Sequence, residues 1–183
     1  VRTKILFLLG CGFLVFGVLQ YEKNLTPSYT VPAIAPAAGA EIIPNFSLPD
    51  LNQKPVQLSD KTNTVTLLHF WATWCTPCIA ELPELAEFAR QNKKNVAVIA
   101  ISLDEKNTDI KPFLRQLLGS KQSHIIWLRD NNKNLSEDTL GVYKLPETLL
   151  INEQRVLKHK FVGAVNWLSP KIKAQVFALP FKL

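Results

Sequence analysis

Between Thr64 and Leu103 the chain reads as strand, helix, strand, and this constrains the fold more than anything else in it. Thr64–Trp71 (TVTLLHFW) and Asn95–Leu103 (NVAVIAISL) are β-branched and aromatic with almost no polar relief. Such runs fit strands buried on both faces. Between them, Cys78–Gln91 carries Ile79, Leu82, Leu85, Ala86 and Ala89 at helical spacing, with Glu81, Glu84, Glu87 and Arg90 interleaved. A β-α-β unit follows, and the crossover rule makes its strands parallel. The chain is therefore α/β.

The remaining segments extend this core. Asn45–Leu51 and Pro55–Leu58 read as two short strands around a polar turn. A helix is expected from Thr108 to Leu118, capped by Thr108 or Asp109 and stopped by Gly119. His124–Leu128 reads as a strand and Ser136–Leu140 as one helical turn. Thr148–Asn152 and Val156–Phe161 bracket a polar turn and predict an antiparallel hairpin at one sheet edge. Ser169 caps a last helix, Pro170–Leu179, with Pro at its favoured first position. No internal repeat is visible.

The N-terminal region differs in kind. Arg2 and Lys4 precede an uncharged apolar run, Ile5–Leu19, which is the pattern of an export signal. The run is short against the roughly 20 residues of a typical span, but flanking residues bring it to the lower limit. No small-x-small triplet follows closely, so an uncleaved anchor over residues 1–22 is favoured over a cleaved signal. A lipoprotein reading of Leu8-Leu9-Gly10-Cys11 is weaker, because the apolar run continues past the cysteine. Residues 23–43, rich in Pro and Ala, read as an extended linker. Residues 44–183 then form one domain, long enough for a complete core. The positive flank inside implies that this domain is exported.

Composition narrows the chemistry. The 183 residues are 47% hydrophobic and 20% charged, which excludes disorder. A net charge of +6 is spread along the chain without a dense basic patch, so nucleic acid is not an expected partner. Three cysteines are too few for a disulfide scaffold or a four-thiolate metal site. Cys11 lies in the apolar run, leaving Cys75 and Cys78 as a C-x-x-C that follows a buried strand and opens a helix. There the unpaired backbone N–H groups favour an anion, so Cys75 is expected to form a thiolate readily. Cys78, one turn later, is placed to attack a mixed disulfide on Cys75 and release the partner. Pro77 suits the first helical turn and stiffens the loop. An inert disulfide and a zinc site are the alternatives, and no second C-x-x-C or H-x-x-x-H supports the latter.

Trp74-Cys75-Thr76-Pro77-Cys78 resembles the WCxxC site of thioredoxin-fold proteins. The longer FWATWCTPCIAELPEL is similar to the membrane-anchored, extracytoplasmic branch typified by TlpA, ResA and CcmG. The segment PNFSLPDLNQKPVQLSD resembles the N-terminal hairpin of that branch, and Gly141–Leu149 resembles its GVYGxPET segment. The resemblance implies a thioredoxin-like mixed sheet flanked by helices, with an added N-terminal β-hairpin. It implies that Cys75 and Cys78 are catalytic, and that Pro146 is a cis-proline facing them, with Leu145 pairing to bound peptide. Without the resemblance, Pro146 reads equally as a trans turn proline. Trp74, Thr76, Pro77 and Glu147 would line the substrate site.

Glu81 matches the acidic residue that ResA-like proteins keep beneath the site, where a carboxylate can accept the Cys78 proton. An ordinary exposed first-turn Glu is the alternative. His69 departs from the pattern: thioredoxin has a buried Asp here and TlpA-like proteins usually a neutral residue. It is either a possible proton relay or a satisfied core histidine. Pro83 should kink the helix. His124 and His159 read as structural or surface residues.

The expected function is an extracytoplasmic thiol–disulfide oxidoreductase, a protein-disulfide reductase on a single-pass anchor in the inner (cytoplasmic) membrane, facing the periplasm. Its chemistry would need no cofactor beyond the Cys75–Cys78 pair. The implied partners are protein thiols and disulfides such as apocytochrome c, and a membrane thiol reductant. The alternatives are a copper-binding module on the same fold and a dithiol oxidase or isomerase.

Overall fold

The computed structural model describes residues 41–61, 65–105 and 108–178. The expected anchor, Cys11 and nearly all of the expected linker lie outside the described residues. So do Thr64 and Leu179, each at the end of an expected element.

The chain order is β1 (Ser47–Pro49), β2 (Pro55–Gln57), β3 (Val65–Trp71), α1 (Thr76–Asn92), β4 (Val96–Ser102), α2 (Ile110–Leu118), β5 (Ile126–Arg129), β6 (Glu147–Asn152), β7 (Leu157–Val162) and α3 (Pro170–Ala178). β1 and β2 form the expected antiparallel hairpin. The other five strands make a mixed sheet in the order β5-β4-β3-β6-β7. β3, β4 and β5 run parallel, while β6 runs antiparallel to both β3 and β7.

All seven residues of β3 are buried, because both sheet faces are covered. One face carries Leu67 and Trp71 against Leu82, Leu85 and Phe88 of α1, Leu114 of α2 and Val176 of α3. The opposite face carries Leu68 and Phe70 with Ile99, Leu128 and Ile151, covered by the hairpin and by Leu135 and Leu140. The period-2 alternation of a strand therefore sends odd-numbered β3 side chains, His69 among them, toward the helices. β7 is an outer strand with exposed Lys158 and Lys160, charges that discourage pairing with another chain.

Three expectations are corrected in detail. His124 closes a 3-10 segment, Gly119–His124, and the strand begins only at Ile126. Gly119 at φ +54 ends α2, and the chain continues in tight turns before it can extend. The single turn expected at Ser136 is a π turn over Asn134–Thr139, entered through Lys133 in the left-handed region. Residues 41–43, read as linker, pack with the domain: Ile43 is fully buried and Ile42 bridges Val156. Pro83 lies inside α1, where the sequence placed it. Asp109, not Thr108, caps α2 by accepting from the Lys111 N–H at 3.2 Å.

Candidate active site

The cysteines sit where the loop after β3 turns into α1, at the carboxyl ends of two parallel strands, where open α/β sheets place their sites. Cys75 is the N-cap residue of α1, and its sulfur accepts from the Cys78 N–H at 3.3 Å. Cys75 and Cys78 form a disulfide, with Cα atoms 5.2 Å apart. An N-terminal sulfur facing backbone N–H groups is stabilised as an anion when the bond opens. Cys78 is fully buried on the α1 face that packs on the sheet. Trp74, Thr76 and Pro77 are exposed around Cys75, with Trp74 64% accessible.

The loop is pinned by a residue that sequence reasoning missed. Buried Asp104 accepts from the Thr73 N–H at 3.0 Å, the Thr73 hydroxyl at 2.6 Å and the Ser102 hydroxyl at 2.7 Å. An acidic residue just beyond a buried strand was the available signal, but its partner lies 31 residues away.

Beneath the disulfide, the structure brings together two candidates that the sequence read separately. Glu81 lies one turn after Cys78 and is 5% exposed, so it is not a solvated first-turn residue. One carboxylate oxygen, Oε2, accepts from the Val165 N–H at 2.6 Å. The other, Oε1, faces His69 Nε2 at 3.4 Å. On the far side of the ring, His69 Nδ1 is 2.9 Å from the Thr148 hydroxyl. Thr148 is opposite His69 in the β3–β6 register, so the sheet fixes this contact. Burial pushes the Glu81 carboxyl up to about 7, against the lowering effects of the Val165 N–H and the nearby Trp167 indole. Burial alone pushes the fully enclosed His69 imidazole down to about 3.

At the rim, the Leu145–Pro146 peptide is cis. Register pairs Glu147 with Phe70, which sets Pro146 beside the end of β3 that leads into the cysteines. Pro146 is buried, Leu145 is half-buried, and Tyr143 is 76% exposed. Glu147 is placed differently from its expected role on the substrate surface. It is 3% exposed, and its carboxylate pairs with Lys160 at 2.7 Å, so it offers no free charge to a partner. Among the described residues no group of three His, Cys, Asp or Glu side chains could hold a metal ion.

A helix-capping cysteine pair on a five-stranded mixed sheet, with a cis-proline beside it, defines a thiol–disulfide oxidoreductase of the thioredoxin-like fold. The Redoxin family pattern matches residues 37–176, and the chain belongs to that family. Relatives named thiol:disulfide interchange protein DsbE occur in Vibrio cholerae (34% identical, over 90% of this chain and 88% of the relative) and Pseudomonas aeruginosa (33%, over 90% and 87%). A solved structure from Chlorobium tepidum, assigned as a protein of the same name, superposes with a TM-score of 0.66 at 29% identity, covering 76% of this chain and 95% of that one. The redox chemistry resides in the cysteine pair and requires no further cofactor.

Proposed function

We propose that this protein reduces disulfides in exported proteins, anchored through residues 1–22, with residues 23–40 as a spacer and its catalytic domain, from Glu41 onward, on the periplasmic side of the inner membrane. The role closest to this is that of CcmG and ResA, which keep apocytochrome c thiols reduced for haem attachment. Electrons would arrive from a membrane thiol reductant. The observation that carries the reading is the asymmetry of the pair: Cys75 is 6% exposed among exposed Trp74, Thr76 and Pro77, while Cys78 is fully enclosed beneath it. Cys75 is then the nucleophile and Cys78 the resolving thiol, with Leu145 and Pro146 shaping the groove. The similarity to relatives named for thiol:disulfide interchange supports it.

The test is the reduction potential of the Cys75–Cys78 couple, together with reduction of a disulfide-bonded Cys-x-x-Cys-His peptide. A reducing potential and peptide reduction that is lost in Cys75→Ser are expected. A strongly oxidising potential would overturn the reductase direction.

A further inference from the structure

His69 Nε2 and Glu81 Oε1 are both buried, both without a partner at hydrogen-bond distance, and directed at one another at 3.4 Å, with the equally buried Trp167 indole N–H the other donor close to the carboxylate. A buried polar atom left unpaired costs roughly 1–3 kcal/mol, so two facing each other point to a proton that belongs between them. The other faces of both groups are fixed: Oε2 by the Val165 N–H, and Nδ1 by the Thr148 hydroxyl. A hydroxyl can donate or accept, so Thr148 suits either imidazole tautomer. We propose that Thr148, His69 and Glu81 act as one unit, in which the imidazole tautomer supported by Thr148 governs whether Glu81 holds or releases the proton it exchanges with Cys78. This rests on the oxidoreductase reading and deepens it.

The two states follow from donor and acceptor counting. With Glu81 protonated, its O–H donates to Nε2, and Nδ1–H donates to the Thr148 oxygen. With Glu81 ionised, Nε2 must carry the hydrogen and donate to the carboxylate, and the Thr148 hydroxyl then donates to Nδ1. If the tautomer could not change, two lone pairs would face each other, which favours the protonated acid. The surroundings add little charge of their own. α1 contributes Glu84, whose charge raises the Glu81 pKa. β4 sets Ala100 beside His69, β6 contributes Thr148, and the segment after β7 supplies the Val165 N–H and the Trp167 indole.

In the reaction, a reduced Cys75 thiolate attacks a substrate disulfide, breaking that bond and expelling one substrate thiolate. Cys78 then passes its proton to Glu81, which lies at i+3 on the same helix face. Its sulfur attacks Cys75, the Cys75–substrate bond breaks, and the second substrate thiolate leaves. The enzyme dithiol has lost two electrons and the substrate disulfide has gained them. A dithiol donor restores the enzyme, and Glu81 returns the proton to Cys78.

The experiment follows peptide release from a Cys75 mixed disulfide against pH, alongside the nitrogen-15 shifts of His69. In the wild type the release rate should rise through a break near pH 7. The Nε2 resonance should change from acceptor to N–H across the same break. Thr148→Val leaves Nδ1 without a partner in either tautomer and so removes the discrimination that the hydroxyl supplies. Its break should be displaced by about one unit from that of the wild type. Thr148→Ser should restore the wild-type profile, and Glu81→Gln should abolish the break with roughly a hundredfold loss of rate. Coincident wild-type and Thr148→Val profiles, or a His69 tautomer unchanged from pH 5 to 9, would overturn the proposal and leave the oxidoreductase reading standing. A wild type that forms no mixed disulfide with the peptide would overturn both.

Discussion

Cys78→Ser should accumulate covalent complexes with substrate through Cys75, visible on non-reducing gels, because nothing then resolves them. Glu81 and His69 leave a separate mark, on stability. Glu81 has a raised folded pKa, about 7 against an ordinary 4.5, so it contributes stability at low pH that is lost as pH rises between those values. His69 has a depressed one, about 3 against 6.5, so stability is lost as pH falls below 6.5. Between about pH 4.5 and 6.5 the two slopes oppose and cancel. Glu81→Gln removes one of them. Urea denaturation of that variant should then show stability falling by about 1.4 kcal/mol per pH unit from pH 6.5 down to 4.5, where these two groups cancel in the wild type. A variant as flat as the wild type would count against a buried, neutral His69.

At the scale of elements, the loop between β3 and α1 depends on β4. Asp104→Ala would leave the Thr73 N–H and hydroxyl and the Ser102 hydroxyl without their acceptor. A loss of about 3 kcal/mol is expected from the urea midpoint, with slower peptide exchange as Trp74 and Cys75 lose their fixed position. This contact also shows where sequence reading stops. β3, α1 and β4 were legible because buried strands and an amphipathic helix have periods that local sequence carries, and the cysteine pair because its chemistry needs a fixed spacing. Asp104 to Thr73 and His69 to Glu81 arise from strand register and side-chain direction, which no local window contains. Glu147 shows the reverse: its place beside Pro146 suggested a rim residue, but β-strand alternation turned it toward Lys160. The 3-10 segment at Gly119–His124 (GSKQSH) was not legible because it has no apolar residue to set a period.

Across the whole molecule, the sheet is completed by a segment that composition assigned to the spacer. The Ile43 N–H donates to the Arg155 carbonyl at 2.9 Å, and the Arg155 Nε–H returns a bond to the Ile43 carbonyl at 3.2 Å. The Leu157 N–H donates to the Glu41 carbonyl at 2.8 Å. Residues 41–43 thus cover the start of β7 and fill the face opposite the helices. A catalytic fragment beginning at Pro44 should be about 2–3 kcal/mol less stable than one beginning at Glu41, read as a melting temperature lower by several degrees. Equal melting temperatures would show that the segment adds nothing. The burial of Cys78 has a larger consequence, one of timing. A sulfur that solution cannot reach meets its target only inside the molecule, so the captured partner is freed by a first-order event whose clock is internal. Release through Cys78 would then run at a rate set inside the protein, in competition only with an outside thiol that reaches the mixed disulfide itself.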